Sequence, residues 1–430
     1  MSALNPPTEV LEIAARLRRA GHEAWCVGGA VRDALLGHAH LDWDLATSAR
    51  PQEVQKVFKR TVPIGIEFGT VGVLDANNVM HEVTTFRKDV NTDGRHAVVE
   101  FGASLDDDLA RRDFTINAMA YEPETGELRD PFDGRTDLKR GIVRAVGKAE
   151  ARMREDRLRA LRAIRFAARF HFHIEPATWS AIKASAPHLG RLSAERVKQE
   201  LEKTMQQVEW PSVALEWWRE CGALAVLVPA IAKAPQERFR ALDILREGEG
   251  EGGVPVRGRE GEGAGGGGGD QKGATLDRLA MLFFGEEPSV VERATKALKF
   301  SNADAAWIVH LARARHELGS ELDAVSATGL AEPAQVRRWV AKVGRTRTDA
   351  FFRLHAALEL ARSAAPATVG GRFVVDETAR VRLEALGRLA VEIAFRDPIE
   401  LADLAIDGED LRKLGVPAGP QMGRVLKALL

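Results

Sequence analysis

Residues 26–49 read CVGGAVRDALLGHAHLDWDLATSA, in which two glycines precede a short amphipathic segment and two aspartates follow it. The pattern predicts a strand up to the glycines, a helix of one to two turns ended by Gly37, and a second strand over LDWDLAT. Successive side chains of a strand point to opposite faces, so Asp42 and Asp44 are expected on one face and Trp43 on the other.

Two carboxylates on one face repel each other unless a cation lies between them. Magnesium suits such a pair because it prefers oxygen ligands and bridges carboxylates to phosphates. The pattern therefore predicts a magnesium site at Asp42 and Asp44, with Glu82 on a later strand as a candidate third carboxylate. Asp-x-Asp alone also occurs on charged surfaces, as does the acidic run at 106–108, so the interpretation depends on its context.

The glycines supply part of that context. Gly28 and Gly29 permit a tight turn and close approach of the backbone to a ligand. Backbone N–H groups of a helix beginning near Ala30 are then available to a triphosphate, and the guanidinium of Arg32 can donate two hydrogen bonds to it. The alternative is an ordinary turn from strand to helix.

Strand patterns are concentrated in the first third of the chain, with GTVGVLD and MHEVTTF following the opening unit and a helix predicted at RPQEVQKVF. The polar stretch 87–100 predicts a mobile loop. From about residue 103 the periodicity is helical. The expected fold is α+β, with a small mixed-sheet head followed by an all-α remainder.

Composition limits the function classes. The 430 residues carry 61 Lys and Arg against 62 Asp and Glu, so a nucleic-acid site has to be a local patch. Cys26 and Cys221 are predicted to be buried, reduced thiols. The N-terminus has no signal-peptide pattern and no apolar run is long enough to cross a membrane, which predicts a soluble cytoplasmic protein. The glycine-rich segment 246–273 is predicted to be a disordered insert.

The segment DDLARRDFTINAMAY, residues 107–121, sets Arg111, Arg112 and Asp113 ahead of an apolar helical face. Neighbouring arginine and aspartate residues often form only surface ion pairs, which contribute little to stability. The functional alternative has an arginine on phosphates or sugar, with Asp113 accepting from ribose hydroxyls.

Residues 155–170, EDRLRALRAIRFAARF, predict a helix with a leucine and isoleucine stripe on one face and arginines on another. Asp156 and Arg159 are spaced as neighbours on its surface, and they form either an ordinary ion pair or a reader of bases. In the second case the carboxylate accepts from an exocyclic amine and the guanidinium donates to a ring nitrogen. Cytosine and adenine fit this pattern, whereas uracil and guanine present a carbonyl where the amine is needed.

Together these motifs resemble the bacterial class II tRNA nucleotidyltransferases, that is the CCA-adding enzymes and the related poly(A) polymerases of the DNA polymerase β-like superfamily. The resemblance runs through GGAVRDALLG…LDWDLAT, RRDFTINAMA, DPFDGRTDLKRGIVR, EDRLRALRAIRF and LSAERVKQEL, and the C-terminal LAIDGEDLRKLGVPAGPQMGRVLKAL is similar to the family's tail.

The resemblance implies four parts. These are a catalytic head over 1–146, a neck with the base-templating helix over 147–210, a body over 211–245 and 274–365 interrupted by the insert, and a tRNA-binding tail over 366–430. It also implies site roles. Asp42 and Asp44 would hold two magnesium ions, and the nucleotide would be bound by Gly29, Arg32, Arg111, Asp113, Glu155, Asp156, Arg159, Arg162 and Arg165.

The implied activity is addition of CMP and AMP, from CTP and ATP, to the tRNA 3′ end without a nucleic-acid template. Three alternatives stay open. The segment at 87–100 is slightly shorter than the family's flexible loop, which leaves a CC-adding enzyme possible. The second alternative is a poly(A) polymerase, and the third is a catalytically silent RNA-binding protein. The sequence does not indicate the oligomeric state.

Overall fold

The structure, a computed structural model, describes residues 4–38, 42–92, 97–247, 268–328, 331–366 and 373–429. The chain forms two compact units. The first comprises Met1–Ser193 and Glu220–Val226, and the second comprises Ala194–Arg219 and Leu227–Leu430. No helix in the described ranges is both long enough and apolar enough to cross a membrane.

Eight helices precede residue 193: α1 (Thr8–Arg19), α2 (Gly29–Leu35), α3 (Pro51–Val57), α4 (Leu105–Ala110), α5 (Gly134–Arg140), α6 (Ala149–Glu155), α7 (Leu158–Phe170) and α8 (Pro176–Ser185). They alternate with strands β1 (Ala24–Val27), β2 (Asp44–Thr47), β3 (Thr61–Gly65), β4 (Thr70–Leu74), β5 (Met80–Thr85), β6 (Arg87–Thr92), β7 (Ala97–Phe101), β8 (Ala120–Tyr121), β9 (Leu128–Arg129), β10 (Ile142–Val143) and β11 (His173–Ile174).

Seven of these strands form one sheet in the order β3-β4-β5-β2-β1-β8-β9. The pair β2–β5 is parallel and the other neighbours are antiparallel. This confirms the predicted mixed-sheet head. A cluster of buried apolar residues packs on the sheet: Trp25, Val27, Ala46, Phe86, Leu105, Leu109 and Ala120.

The turn between β1 and α2 depends on Gly28, whose φ of +75° is in the left-handed region. Because that residue turns the chain sharply, α2 starts directly after the strand. Its Ala30 and Val31 are buried, as the amphipathic pattern predicts.

The stretch 87–100 differs from the predicted mobile loop, because β6 and β7 pair antiparallel within it. The polar residues of the stretch concealed a strand pattern that ends in Phe101. The ring of Phe101 packs so closely on Gly69 that a Cβ at Gly69 would lie 2.6 Å from it. This contact of the partly buried Phe101 ring with Gly69 favours the position of β7 beside the main sheet. Residues 93–96 lie outside the described ranges.

After residue 193 the described chain is mostly helical, as predicted. Helix α11 (Ala223–Leu227) belongs to the first unit except for its last residue. The helices of the second unit are α9 (Ala194–Gln207), α10 (Pro211–Glu220, whose last residue belongs to the first unit), α12 (Gln236–Glu247), α13 (Gly268–Phe283), α14 (Pro288–Ala297), α15 (Asn302–Thr328), α16 (Pro333–Val343), α17 (Arg345–Ser363), α18 (Glu377–Arg396), α19 (Gly408–Lys413) and α20 (Pro420–Leu429). The short strands β12 (Ala365–Pro366) and β13 (Phe373–Val374) interrupt the helices.

The glycine-rich insert is shorter than predicted at both ends. Helix α12 continues to Glu247 and helix α13 begins at Gly268, so both reach into the stretch 246–273. The reason is that α13 continues into the apolar sequence LDRLAMLF, whose burial favours extending the helix back through the preceding glycines. The remainder of the predicted insert lies outside the described residues.

Gly134, the first residue of α5, packs against the turn that contains Thr115. A Cβ at Gly134 would lie 2.2 Å from the backbone oxygen of Thr115. We expect Gly134→Ala to lower the free energy of unfolding by about 1–3 kcal/mol, because the backbone has to move to relieve the overlap. Thermal unfolding measures the effect. Gly190→Ala is the control, since its Cβ would meet Val226 at an ordinary 3.7 Å. Equal melting temperatures for both variants would contradict the prediction.

Candidate active site

Two exposed carboxylates, Asp42 and Glu82, lie near enough to the partly buried carboxylate of Asp44, at the start of β2, to act on its charge. Asp44 is the first residue of β2, and Leu45 pairs with Val83 of the parallel strand β5. The preceding residues of the two strands, Asp44 and Glu82, are therefore neighbours. Asp42 precedes the strand rather than belonging to it, which corrects the prediction that β2 begins at residue 41.

Electrostatics show that this charge is poorly compensated. Burial, Glu82 and Asp42 together raise the pKa of Asp44 to about 7, and Arg112 partly opposes them. Glu82 is exposed, and so is Asp42. Grouped carboxylate oxygens with a raised pKa fit a hard divalent cation such as Mg²⁺. The candidate third carboxylate is thus close enough to Asp44 to act with it.

Arg112 is the cation beside these acids. A Cβ at Gly28 would lie 3.0 Å from its Nη1, and its Nη2 donates to Asp108 at 3.1 Å. Its Nε is buried without a hydrogen-bond partner among the described residues. Arg112 therefore joins the glycine turn to the carboxylates and retains an unused donor. The sequence showed two adjacent arginines here but gave no signal to distinguish them.

Arg111, the arginine that the resemblance put forward, is turned to Asp108. Its Nε and Nη2 donate to the same carboxylate oxygen at 2.9 and 2.7 Å. The backbone oxygen of Arg111 accepts from Nη2 of Arg159 at 2.9 Å. The main chain of Arg111 thus supports the predicted base-reading arginine, and its side-chain contact with a nucleotide stays a prediction.

Asp113 is held by three donors. Its Oδ1 accepts from the N–H of Phe114 and from Nδ2 of Asn117, both at 2.9 Å, and its Oδ2 accepts from Nε of Arg162 at 2.9 Å. Burial raises the pKa of Asp113, but the charge of Arg162 and these hydrogen bonds outweigh it and hold the pKa below the ordinary value. Asp113 is therefore an ionised acceptor of fixed orientation.

Arg32 and Arg165 are more deeply placed than the predicted phosphate contacts require. Arg32 is 4% exposed and Arg165 is 3% exposed. The Arg32 guanidinium is bonded to Asp33 and Asn117, and that of Arg165 stacks on Phe166. The structure does not present either guanidinium at the surface, so both phosphate contacts stay predictions. Helical periodicity located these arginines but could not show that aromatic rings cover them.

The predicted helix 155–170 is interrupted. Helix α6 ends at Glu155 and α7 begins at Leu158, so Asp156 lies between them in extended backbone, with φ of −144°. Its Oδ1 accepts from the N–H of Leu158 at 3.0 Å and so satisfies a donor at the start of α7. Asp156 and Arg159 are therefore not neighbours on one helix surface. A capping aspartate explains why the helix restarts after it.

Glu155 orients Arg159, as the resemblance implied. The Oε2 of Glu155 accepts from Nη1 of Arg159 at 2.8 Å, and its Oε1 accepts from Arg152 at 2.7 Å. The guanidinium of Arg159 also donates to the backbone oxygens of Arg152 and Arg111. Three contacts, to Glu155, Arg152 and Arg111, fix the plane of the Arg159 guanidinium.

A tighter cluster of metal-type side chains lies in the second unit, where single ligand atoms of Asp323, His355 and Glu359 lie within 4.8 Å of one another. Here the charges are already balanced. Arg315 contacts Asp323 at 2.6 Å, and Arg362 contacts Glu359 at 2.6 Å. Burial lowers the pKa of His355 to about 3, so it is neutral. This cluster is an internal ion-pair network that does not require a cation.

Comparison with known proteins identifies the family of the chain. The family model of the poly(A) polymerase head domain matches residues 24–144, and the model of the probable RNA and SrmB binding site of polymerase A matches residues 171–234. The crystal structure of the Bacillus stearothermophilus CCA-adding enzyme in complex with CTP is 30% identical, covers 99% of this chain and 92% of its own, and superposes with a TM-score of 0.69. The chain belongs to the CCA-adding enzyme family.

Sequence relatives in the family are more similar but align over a shorter length. CCA-adding enzymes of Streptococcus pyogenes serotype M2 and Streptococcus uberis are 46% and 47% identical over 215 residues, which is 49% of this chain. The match spans 53% of those relatives, about half of their length. A Thermotoga maritima CCA-adding enzyme complexed with tRNA shares the fold, with 20% identity, a TM-score of 0.63, and coverage of 97% of this chain and 88% of that one.

Proposed function

We propose that this chain is a template-independent tRNA nucleotidyltransferase that adds CMP and AMP to the tRNA 3′ end and releases pyrophosphate. The observation that carries the proposal is the poorly compensated set of Asp42, Asp44 and Glu82 beside the glycine turn, with Arg112 between turn and acids. Relatives named CCA-adding enzymes, one of them solved with CTP, support the choice of reaction.

Asp42, Asp44 and Glu82 would hold magnesium, because their hard oxygens and uncompensated charge fit it. Two bound ions would lower the pKa of the attacking 3′ hydroxyl and stabilise the departing pyrophosphate. The chain itself positions the reactants. The positive charge of Arg112 and the backbone N–H of Gly29 would attract phosphate oxygens, and such positioning supplies much of the catalysis of phosphoryl transfer.

Base selection falls to Asp156 and Arg159. The carboxylate would accept from the exocyclic amine of cytosine or adenine, and the guanidinium would donate to the adjacent ring nitrogen. Glu155 keeps the guanidinium plane fixed, which supports reading by protein side chains alone. Asp113 would accept from a ribose hydroxyl, and Arg162, which donates to Asp113, would add a phosphate contact.

The partners follow from the reaction. The tail, residues 366–430, would grip the tRNA, and CTP and ATP would be the small substrates. We propose a cytoplasmic location, which the buried thiols of Cys26 and Cys221 support because they do not form a disulfide.

Incubation of the purified chain with magnesium, labelled CTP or ATP, and a tRNA that lacks its CCA end tests the proposal. We expect two CMP and then one AMP to be incorporated, and none into a tRNA that already carries CCA. CMP alone would identify a CC-adding enzyme, and long A tails a poly(A) polymerase. Absence of any incorporation would refute the proposal and favour a silent RNA-binding protein.

A further inference from the structure

Asn117 joins two charged side chains of the candidate site. It is 6% exposed and closes the short 3₁₀ turn Thr115–Asn117. Its Oδ1 accepts from Nη1 of Arg32 at 2.5 Å, and its Nδ2 donates to Oδ1 of Asp113 at 2.9 Å. The acceptor of the amide thus faces a cation and its donor faces an anion, the one orientation in which both contacts are favourable.

Arg32 anchors one side of this link. Its Nε and Nη2 contact Oδ1 of Asp33 at 2.7 Å, and its guanidinium lies 5.0 Å from the ring centre of Phe166 and 4.8 Å from that of Phe170. The two rings are nearly parallel, with 10° between their planes. Because the cation is buried among these groups, it cannot swing away, and it holds Oδ1 of Asn117 in place.

The other side of the link closes a ring of contacts. Asp113 accepts from Arg162, whose guanidinium lies 5.1 Å from the centre of the Phe166 ring. Arg32 stacks on that same ring. Groups from α2, from the RRDFTINA motif and from α7 therefore hold one another around Phe166. Arg32, Asp113 and Arg162, which the sequence predicted separately, therefore form one network of contacts.

We infer that Asn117 is a positioning residue, which acts through Asp113 to make the transfer reaction selective for ribonucleotides. The inference rests on the proposed function. A carboxylate that distinguishes a ribose by its 2′ hydroxyl needs an acceptor oxygen at a fixed place. Without the amide, Oδ1 of Asp113 would keep only the Phe114 N–H and Oδ2 would keep Arg162, so two donors instead of three would set the orientation of the carboxylate.

Asn117→Asp tests this inference because it keeps the shape and the Arg32 contact but sets a carboxylate against Asp113. We expect the ratio of kcat/KM for CTP to that for 2′-deoxy-CTP to fall about tenfold or more, mainly through loss of activity with CTP. If Asn117→Asp does not fold, the same ratio is measured for Asn117→Ser, whose side chain is smaller and uncharged. Calorimetric Kd values for the two nucleotides report the same ratio without turnover.

Thr115→Val is the matched control. Thr115 lies in the same turn, is buried, and donates to Asp137 at 2.7 Å. This variant should lower the melting temperature and keep the wild-type nucleotide ratio. Wild-type ratios in both Asn117 variants, or a wild-type protein that binds both nucleotides equally, would overturn the inference. A chain that binds CTP selectively but transfers nothing would overturn the proposed function, and the Kd ratios of the Asn117 variants would then still test whether Asn117 positions Asp113 for ribose binding.

Discussion

Asp44→Asn should lower CMP incorporation by on the order of a thousandfold while the protein remains folded. The substitution keeps the shape of the side chain but removes a charge that the bound cations need, and metal ions contribute several kcal/mol of transition-state stabilisation. Asp42→Asn should have a similar effect. Single-turnover incorporation into tRNA lacking CCA measures both variants.

The control for these variants is Glu127→Gln, which removes an exposed carboxylate of the same unit away from β2 and β5. It should keep the wild-type rate. If Asp44→Asn retained more than about a tenth of the wild-type rate, Asp44 could not be a metal ligand of the reaction, because loss of a ligand charge costs more than that.

Asp44→Asn should also stabilise the metal-free protein at high pH, relative to the wild type. The pKa of Asp44 is raised from 3.8 to about 7 by burial, Glu82 and Asp42. Below about pH 4 the carboxyl is protonated in both states. As the pH rises towards 7, the unfolded chain releases this proton first, so the wild-type free energy of unfolding decreases across that window.

Asn does not titrate, so in EDTA the melting temperature of Asp44→Asn should exceed that of the wild type by more at pH 8 than at pH 5. Magnesium should reduce the difference by stabilising the wild type alone. A difference that is the same at both pH values would show that the three carboxylates do not repel one another as described.

The sequence pattern correctly predicted the turn between β1 and α2, where the backbone conformation of one glycine determines the structure. Gly28 ends β1 because only glycine adopts its backbone angles freely, and α2 begins directly after that turn. The segment 87–101 was harder to predict because its strand order depends on Phe101 packing on Gly69, a contact that sequence spacing does not show.

The candidate site divides in the same way. The sequence pointed to Asp42 and Asp44 through their spacing next to the glycine turn, and it offered Glu82 only as a candidate on a later strand. The parallel pairing of β2 with β5, which the sequence did not show, makes Glu82 the neighbour of Asp44. The roles of the arginines could not be predicted from spacing. Arg112 faces the glycine turn and Arg32 is covered by Phe166, and both outcomes follow from three-dimensional packing.

Asp156→Asn should change which bases are accepted. The amide keeps an oxygen that can cap the N–H of Leu158, so α7 should begin where it does in the wild type. The second oxygen becomes an N–H donor, which matches the carbonyl of uracil and opposes the amine of cytosine. We expect the kcat/KM ratio of CTP to UTP to fall about a hundredfold. A bidentate base contact discriminates between bases by about 1–3 kcal/mol, and the substitution removes a hydrogen bond to cytosine while it provides one to uracil.

Asp156→Ala separates the cap from the base contact. It removes both, so it should lower the melting temperature and reduce CTP activity without raising UTP activity. Glu150→Gln, an exposed first-turn residue of α6, should leave the nucleotide preference unchanged. If Asp156→Asn weakened the use of CTP and UTP equally, Asp156 would serve only as the cap of α7. Base selection would then depend on Arg159 alone, whose donors meet an acceptor at the ring nitrogen of cytosine and an opposing N–H at that of uracil.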